Sequence, residues 1–166
     1  MIAAVVLAAG ASTRFGSPKQ VLLLEPVLER VRSSVAIGDV VVVLGAHDVK
    51  TTARSVRCPD WDRGPGASLR CGLAALGEEA EAAVVVLADG PTLDPRALDR
   101  VVATWRESGA ERVAATYGGI RLHPVLLARR AWRNVPDEGL RGLSAELVPC
   151  DDLDPPGDVD FADDLN

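Results

Sequence analysis

Cysteine is scarce in this sequence, with only Cys58, Cys71 and Cys150. Their number is odd and their spacing wide, so neither a disulfide scaffold nor a Cys-x-x-Cys metal site is implied. Three reduced thiols in a cytoplasmic protein are the expectation. Long apolar runs are also missing. Hydrophobic residues make up 48% of the chain, but no run approaches the roughly 18 residues of a membrane span. Positive charge is in deficit. The 18 basic residues face 24 acidic ones, for a net charge of -6. That balance argues against nucleic acid as a partner, yet it leaves room for a small nucleotide pocket. No basic stretch accompanies Met1 to Leu7, and a glycine-rich turn follows at once. The segment reads as a first strand and not as a signal peptide. Internal repeats, heptads and low-complexity linkers are absent. What remains is 166 residues, one domain's worth of chain over 1–166.

Three continuous apolar runs rich in β-branched residues stand out: Ile2 to Leu7, Asp39 to Gly45 and Ala82 to Ala88. Continuous runs fit strands buried on both faces, as in a parallel sheet covered by helices. Helical patterns lie between them. One is expected to begin at Pro26, with Val27, Leu28, Val31 and Val35 inward. Ser68 is a candidate cap for a second, carrying Leu69, Leu73, Leu76 and Ala80 on one side. Asp94-Pro95 is a start signal for a third, with Leu98, Val101, Val102 and Trp105 as its stripe and Ser108-Gly109 as its end. Arg112 to Tyr117 reads as a strand before a Gly118-Gly119 turn, and His123 to Leu127 as extended chain. A short helix is expected through Ala131 and Trp132, and another from Asp137 to Leu147. The alternation predicts one three-layer, Rossmann-like α/β domain with a mostly parallel or mixed sheet.

The first turn, Leu7-Ala8-Ala9-Gly10-Ala11-Ser12-Thr13-Arg14-Phe15-Gly16-Ser17-Pro18-Lys19, leaves the carboxyl end of the first strand. Open parallel sheets bind ligands at that edge. Gly10 permits close backbone approach, and successive amides can form an anion nest. Arg14 and Lys19 add a fork and a point charge for phosphate. It is neither a dinucleotide fingerprint nor a P-loop, because the glycine triplet and the Gly-Lys-Ser/Thr ending are missing.

Asp89 ends the third apolar run and precedes Gly90-Pro91. It therefore belongs at the same sheet edge. A carboxylate facing a phosphate loop suits Mg²⁺, a hard cation shared with substrate phosphates. Asp158 and Asp160, two apart near the chain end, share a face if extended. Either would complete a Mg²⁺ site if this segment packs beside the third strand; the other reading is a plain acidic terminus.

Together these segments resemble the molybdenum-cofactor nucleotidyltransferase-like family. The first loop is similar to its Leu-Ala-Ala-Gly-x-Ser-x-Arg-x-Gly-x-x-Lys signature, in the form of the cytidylyltransferase branch. Pro59 to Leu73 is similar to its Trp-x-x-Gly-x-x-x-Ser-Leu segment. Asp89-Gly90-Pro91 is similar to Asp-Gln-Pro, with glycine for glutamine. Tyr117 to Val125 resembles Tyr-x-Gly-x-x-Gly-His-Pro-Val, with Leu122 for the last glycine. Asp137-Glu138-Gly139 with Arg141, and Asp158-Val159-Asp160, resemble the loops that follow.

The resemblance implies transfer of CMP from CTP to the phosphate of a molybdopterin-type acceptor, with release of pyrophosphate. Arg14, Lys19 and Asp89 would be catalytic. Leu7, Ala8, Ala9, Gly10, Ser12, Arg14, Lys19 and Ser68 would hold the nucleotide. His123 would be a hydrogen-bond partner on the acceptor side, and Mg²⁺ would sit on Asp89 with Asp160 or Asp158. Contact with a molybdoenzyme or its chaperone is a further implication, as are transfer from another NTP or to another phosphorylated acceptor, and nucleotide binding without catalysis.

Overall fold

The computed structural model describes residues 1–10 and 19–157, with the side chains of 19–21 left aside. The first apolar run becomes β1 (Ile2–Ala8), followed by α1 (Lys19–Arg32) and β2 (Asp39–Leu44). Then come β3 (Arg54–Arg57), α2 (Pro65–Ala74), β4 (Ala82–Leu87), α3 (Pro95–Ser108), β5 (Arg112–Tyr117), β6 (Ile120–Ala128) and β7 (Glu146–Pro149).

The strands form one seven-stranded sheet in the order β3-β2-β1-β4-β6-β5-β7. β1, β2, β3 and β4 pair in parallel. β6 pairs antiparallel to both β4 and β5, and β5 pairs parallel to β7. One strand, β6, thus runs against the other six, and the sheet is the mixed one anticipated.

Alternation along each strand divides the core between two faces. Ile2, Ala4 and Val6 of β1 join Leu24, Leu28 and Val31 of α1 and Leu98 and Val101 of α3. Ala3 and Val5 turn the other way, toward Leu69 and Leu73 of α2 and the segment through Ala131 and Val135. That is the three-layer arrangement. Asp94 caps α3 by accepting the Arg96 N–H at 2.9 Å, and Gly109 ends the helix at φ 65°. Gly118 and Gly119, at φ 59° and 80°, make the tight turn from β5 to β6. Two consecutive positive φ values are the geometry that matches strand twist in a two-residue hairpin.

Several sequence expectations fail locally. Pro26 lies inside α1 and not at its start. Its missing N–H costs little there, because Pro26 and Leu22, whose carbonyl it would have used, are exposed. Val35 falls beyond the end of α1 and is 92% exposed. Ser68 is no cap: Gly64 precedes Pro65 at the start of α2, and Ser68 is buried within the helix. The helix expected from Asp137 to Leu147 is absent: residues 137–145 form turns, and Glu146 and Leu147 begin β7. Arg121 holds the turns in that shape, donating to the carbonyls of Leu143 at 2.6 Å and Leu140 at 3.1 Å. Between Gly45 and Trp61 the chain forms β3 where no strand was expected. The cysteines are not all reduced either. Cys58, at the end of β3, is joined to Cys71 on α2, and only Cys150 is free. The pairing arises because β3 and α2 pack together, which spacing alone does not reveal.

Candidate active site at the carboxyl edge of the sheet

Strand direction decides which residues meet. The carboxyl ends of β1 and β4 lie side by side, with Leu7 paired to Leu87. Because β6 is reversed, its first half reaches the same edge, and His123 stands beside Leu87. The Leu87 N–H donates to His123 Nδ1 at 3.4 Å. This one edge therefore gathers Leu7, Ala8, Ala9 and Gly10 from β1, Asp89 from the turn after β4, and His123 from β6. Ser68 is near the amino end of α2, the end that leaves the same edge.

The edge has a floor and walls. Leu87 belongs to a strand flanked on both sides, yet it is 39% exposed. An exposed aliphatic residue in mid-sheet marks a place that no helix among the described residues covers. Ala8 and Ala9 are buried and Gly10 is exposed. Small residues there leave the β1 backbone approachable. Trp61 is half-buried and its β-carbon lies over Gly45, so close that a side chain at Gly45 would collide with it. It forms the wall beside β2. Next to it, against the start of α2, the turn segment at 136–143 makes a second wall. Gly66 N–H donates to Asp137 O at 2.8 Å, and the Asp137 carboxylate pairs with Arg63 at 3.1 Å and with Arg70. Those two arginines, Arg70 foremost, hold the Asp137 carboxyl below its ordinary range.

Asp89 is half-buried, with Oδ1 shielded from solvent. His123 is buried, which pushes its pKa down to about 4 against the opposing pull of the Asp89 charge. It is therefore neutral at pH 7. With Nδ1 accepting from Leu87, the ring proton sits on Nε2. That atom is buried and has no hydrogen-bond partner among the described residues.

The chain returns to this edge at its end. Thr92 N–H donates to Pro156 O at 3.1 Å, and Thr92 Oγ1 donates to Pro155 O at 2.6 Å. Asp151 accepts from Gly118 N–H at 2.8 Å, and Arg100 grips Asp152 through two bonds of 2.6 Å. The first pair of contacts lays residues 155–157 beside the turn that carries Asp89, and the second ties the preceding residues to the β5–β6 turn and to α3. A Cβ at Gly157 would stand 3.1 Å from Thr92 Oγ1, so the chain passes Thr92 one residue before Asp158.

The chain matches the MobA-like NTP transferase domain over residues 4–148. It belongs to that family. Nucleotidyl transfer from an NTP-type substrate is the activity class of the family. Solved structures agree. Rv0371c from Mycobacterium tuberculosis H37Rv is 28% identical, with a TM-score of 0.80 over 99% of this chain and 94% of that one. A homologue of it from Mycobacterium sp. strain JC1 is 26% identical, with a TM-score of 0.81 over 99% and 92%. A manganese complex of Rv0371c superposes with a TM-score of 0.73, at 26% identity over 99% and 95%. A search of curated proteins finds no match.

Some expected site residues lie outside the described residues: Ser12, Arg14, Asp158 and Asp160. Lys19 is described only as the first residue of α1. Among the described residues no group of three or more His, Cys, Asp or Glu could hold a metal ion. Asp89, the carboxylate that the turn after β4 brings to this edge, fits a cation that takes one or two carboxylates and completes its shell with phosphates and water. Leu87 had gone unnoticed as a site residue in the sequence, because a leucine within an apolar run looks like core.

Proposed function

We propose that the protein transfers CMP from CTP to the terminal phosphate of a molybdopterin-type acceptor. The observation that carries this reading is the convergence of Asp89, the β1 strand end and the chain's returning tail at one sheet edge. An acceptor phosphate oxygen would bond to the α-phosphorus of CTP as the bond to the β-phosphate oxygen breaks, and pyrophosphate would leave. Such a reaction needs charge neutralisation and alignment more than acid–base chemistry. Asp89, with Asp160 or Asp158, would hold Mg²⁺. When bound, the metal would supply positive charge that offsets the negative charge of the nucleotide phosphates. The manganese complex of Rv0371c supports a divalent cation in this role.

In this reading Arg14 and the loop amides grip the β- and γ-phosphates, and Lys19 meets the charge that develops on the α-phosphate. Leu7, Ala8, Ala9, Gly10 and Ser12 seat the nucleotide, with Ser68 beside the base or ribose. CTP is chosen because the Leu7-Ala8-Ala9-Gly10 loop resembles the cytidylyltransferase branch. Leu122, where the resembled motif has glycine, favours a second reading in which the acceptor is a different phosphorylated small molecule. Pyrophosphate release, followed with each of four NTPs, Mg²⁺ or Mn²⁺ and a panel of phosphorylated acceptors, tests the proposal. Release with CTP and molybdopterin is the expected result; release with GTP alone, or with no combination, would defeat it.

A further inference from the structure

We infer that His123 is a positioning residue that clamps the turn carrying Asp89, rather than a group that touches substrate. The inference rests on the reading of Asp89 as the metal carboxylate. The turn is short. Gly90 N–H donates back to Leu87 O at 3.3 Å, so residues 87–90 form a single tight bend with Asp89 inside it. His123 meets both ends of that bend. Nδ1 takes the Leu87 N–H at 3.4 Å. The opposite edge of the ring lies against Gly90: a Cβ at that position would stand 2.9 Å from both Cε1 and Nε2. One rigid imidazole therefore spans the bend from its first residue to its last.

The ring is itself fixed. It projects from β6, which is paired to β4 through Val125 and Val85, and the His123 carbonyl accepts from the buried Tyr117 hydroxyl at 3.3 Å. The other side of the bend is braced as well. The same point above Gly90 is 3.1 Å from Pro156 Cβ, and Thr92 is bonded twice to the tail. Gly90 is thus where β6, the Asp89 turn and the returning tail come together, and a side chain there would push them apart.

Burial separates this role from substrate contact. Nε2 is shielded from solvent and lies against the Gly90 turn. What it faces is the bend, at Gly90. A neutral ring with its proton on Nε2 offers that face a donor. Residues that orient a metal carboxylate in this way commonly change metal affinity by about 10–100-fold when lost.

Three variants test the clamp, each read by Mn²⁺ affinity and by amide exchange at Ala88, Asp89 and Gly90. His123→Leu removes the acceptor for Leu87 N–H; it is expected to weaken Mn²⁺ binding about tenfold and to speed exchange across the bend. His123→Asn places an oxygen near the position of Nδ1 and is expected to recover protection of the bend over His123→Leu. Gly90→Ala keeps the histidine but pushes on the ring; it is expected to weaken Mn²⁺ binding as well, and it carries the test if His123→Leu fails to fold. Wild-type exchange and affinity in His123→Leu or Gly90→Ala would overturn the inference, as would equal damage in the Leu and Asn variants. A wild-type protein that binds no Mn²⁺, with or without CTP, yet shows the expected exchange pattern would remove the metal reading of Asp89 and leave the clamp standing.

Discussion

Replacing Gly66 with alanine should loosen one wall of the cleft while leaving the sheet intact. Gly66 is in the first turn of α2, and its N–H donates to Asp137 O at 2.8 Å. An added Cβ would sit 1.6 Å from Pro136 O and 2.7 Å from its carbonyl carbon. The obstacle is backbone, so no side-chain rotation relieves it. Segment 135–139 must move, and with it the Asp137 pairings to Arg63 and Arg70 and the 2.7 Å bond from Arg70 to Val135 O. Overpacking of this kind costs about 1–3 kcal/mol. The displaced hydrogen bond adds roughly 1 kcal/mol. Alanine returns about 0.5–1 kcal/mol through its better helix propensity. The net expectation is a loss of about 2 kcal/mol in urea unfolding, with a rise in acceptor KM that exceeds any change in CTP affinity, because the nucleotide is seated on β1. Gly142→Ala is the matched control, since a Cβ there meets nothing within 4 Å. If Gly66→Ala and Gly142→Ala unfold at the same urea concentration, the steric reasoning is wrong.

Asp89→Ala should fold normally and lose at least about 100-fold in turnover, equivalent to about 2.7 kcal/mol of transition-state stabilisation; steady-state rates at saturating Mg²⁺ check this. Lys19→Ala should slow the chemical step more than it weakens CTP binding, whereas Arg14→Ala should weaken binding too, which single-turnover kinetics and nucleotide titration separate. Thiol titration of the denatured, unreduced protein should find one reactive cysteine, Cys150, with Cys58 and Cys71 paired. The hydrogen bonds from Arg100 hold the Asp152 carboxyl at about 2, below its ordinary 3.8. A depressed carboxyl stabilises the fold above the unfolded value, and that contribution fades as pH falls from about 4 toward 2. Unfolding midpoints of Asp152→Asn should therefore be less sensitive to acid over that interval than those of the parent.

Three strands were legible because each is a continuous apolar run rich in β-branched residues, and the start and end of α3 because Asp94-Pro95 and Gly109 carry their own local chemistry. Elements fixed by distant partners were not. The 137–145 turns depend on Arg70 and Arg121, which reach them from α2 and β6. Pro26 looked like a helix start because the rule that proline opens helices ignores which side of the helix faces water. The Cys58–Cys71 bond depends on β3, a short strand of mixed polarity, Arg-Ser-Val-Arg, with no periodic signal. At the site, Asp89 was legible from its place at the end of an apolar run before Gly-Pro. The burial of His123 beside Leu87 was not, since it follows from the reversal of β6, and direction is not written in a strand's own residues.

The order of strands also has a consequence during synthesis. β1 is flanked by β2 and β4, and Ile2 pairs with Ala82. At about 5–20 residues per second, roughly 4–16 s pass between the appearance of β1 and that of its second neighbour. Through that interval the apolar strand Ile2–Ala8 has at most one side paired, and its open side is a template for any other extended chain nearby. A released fragment that ends before Ala82 should therefore be more prone to aggregate than one that extends through β4, which makes the arrival of β4 the point at which both sides of β1 are covered.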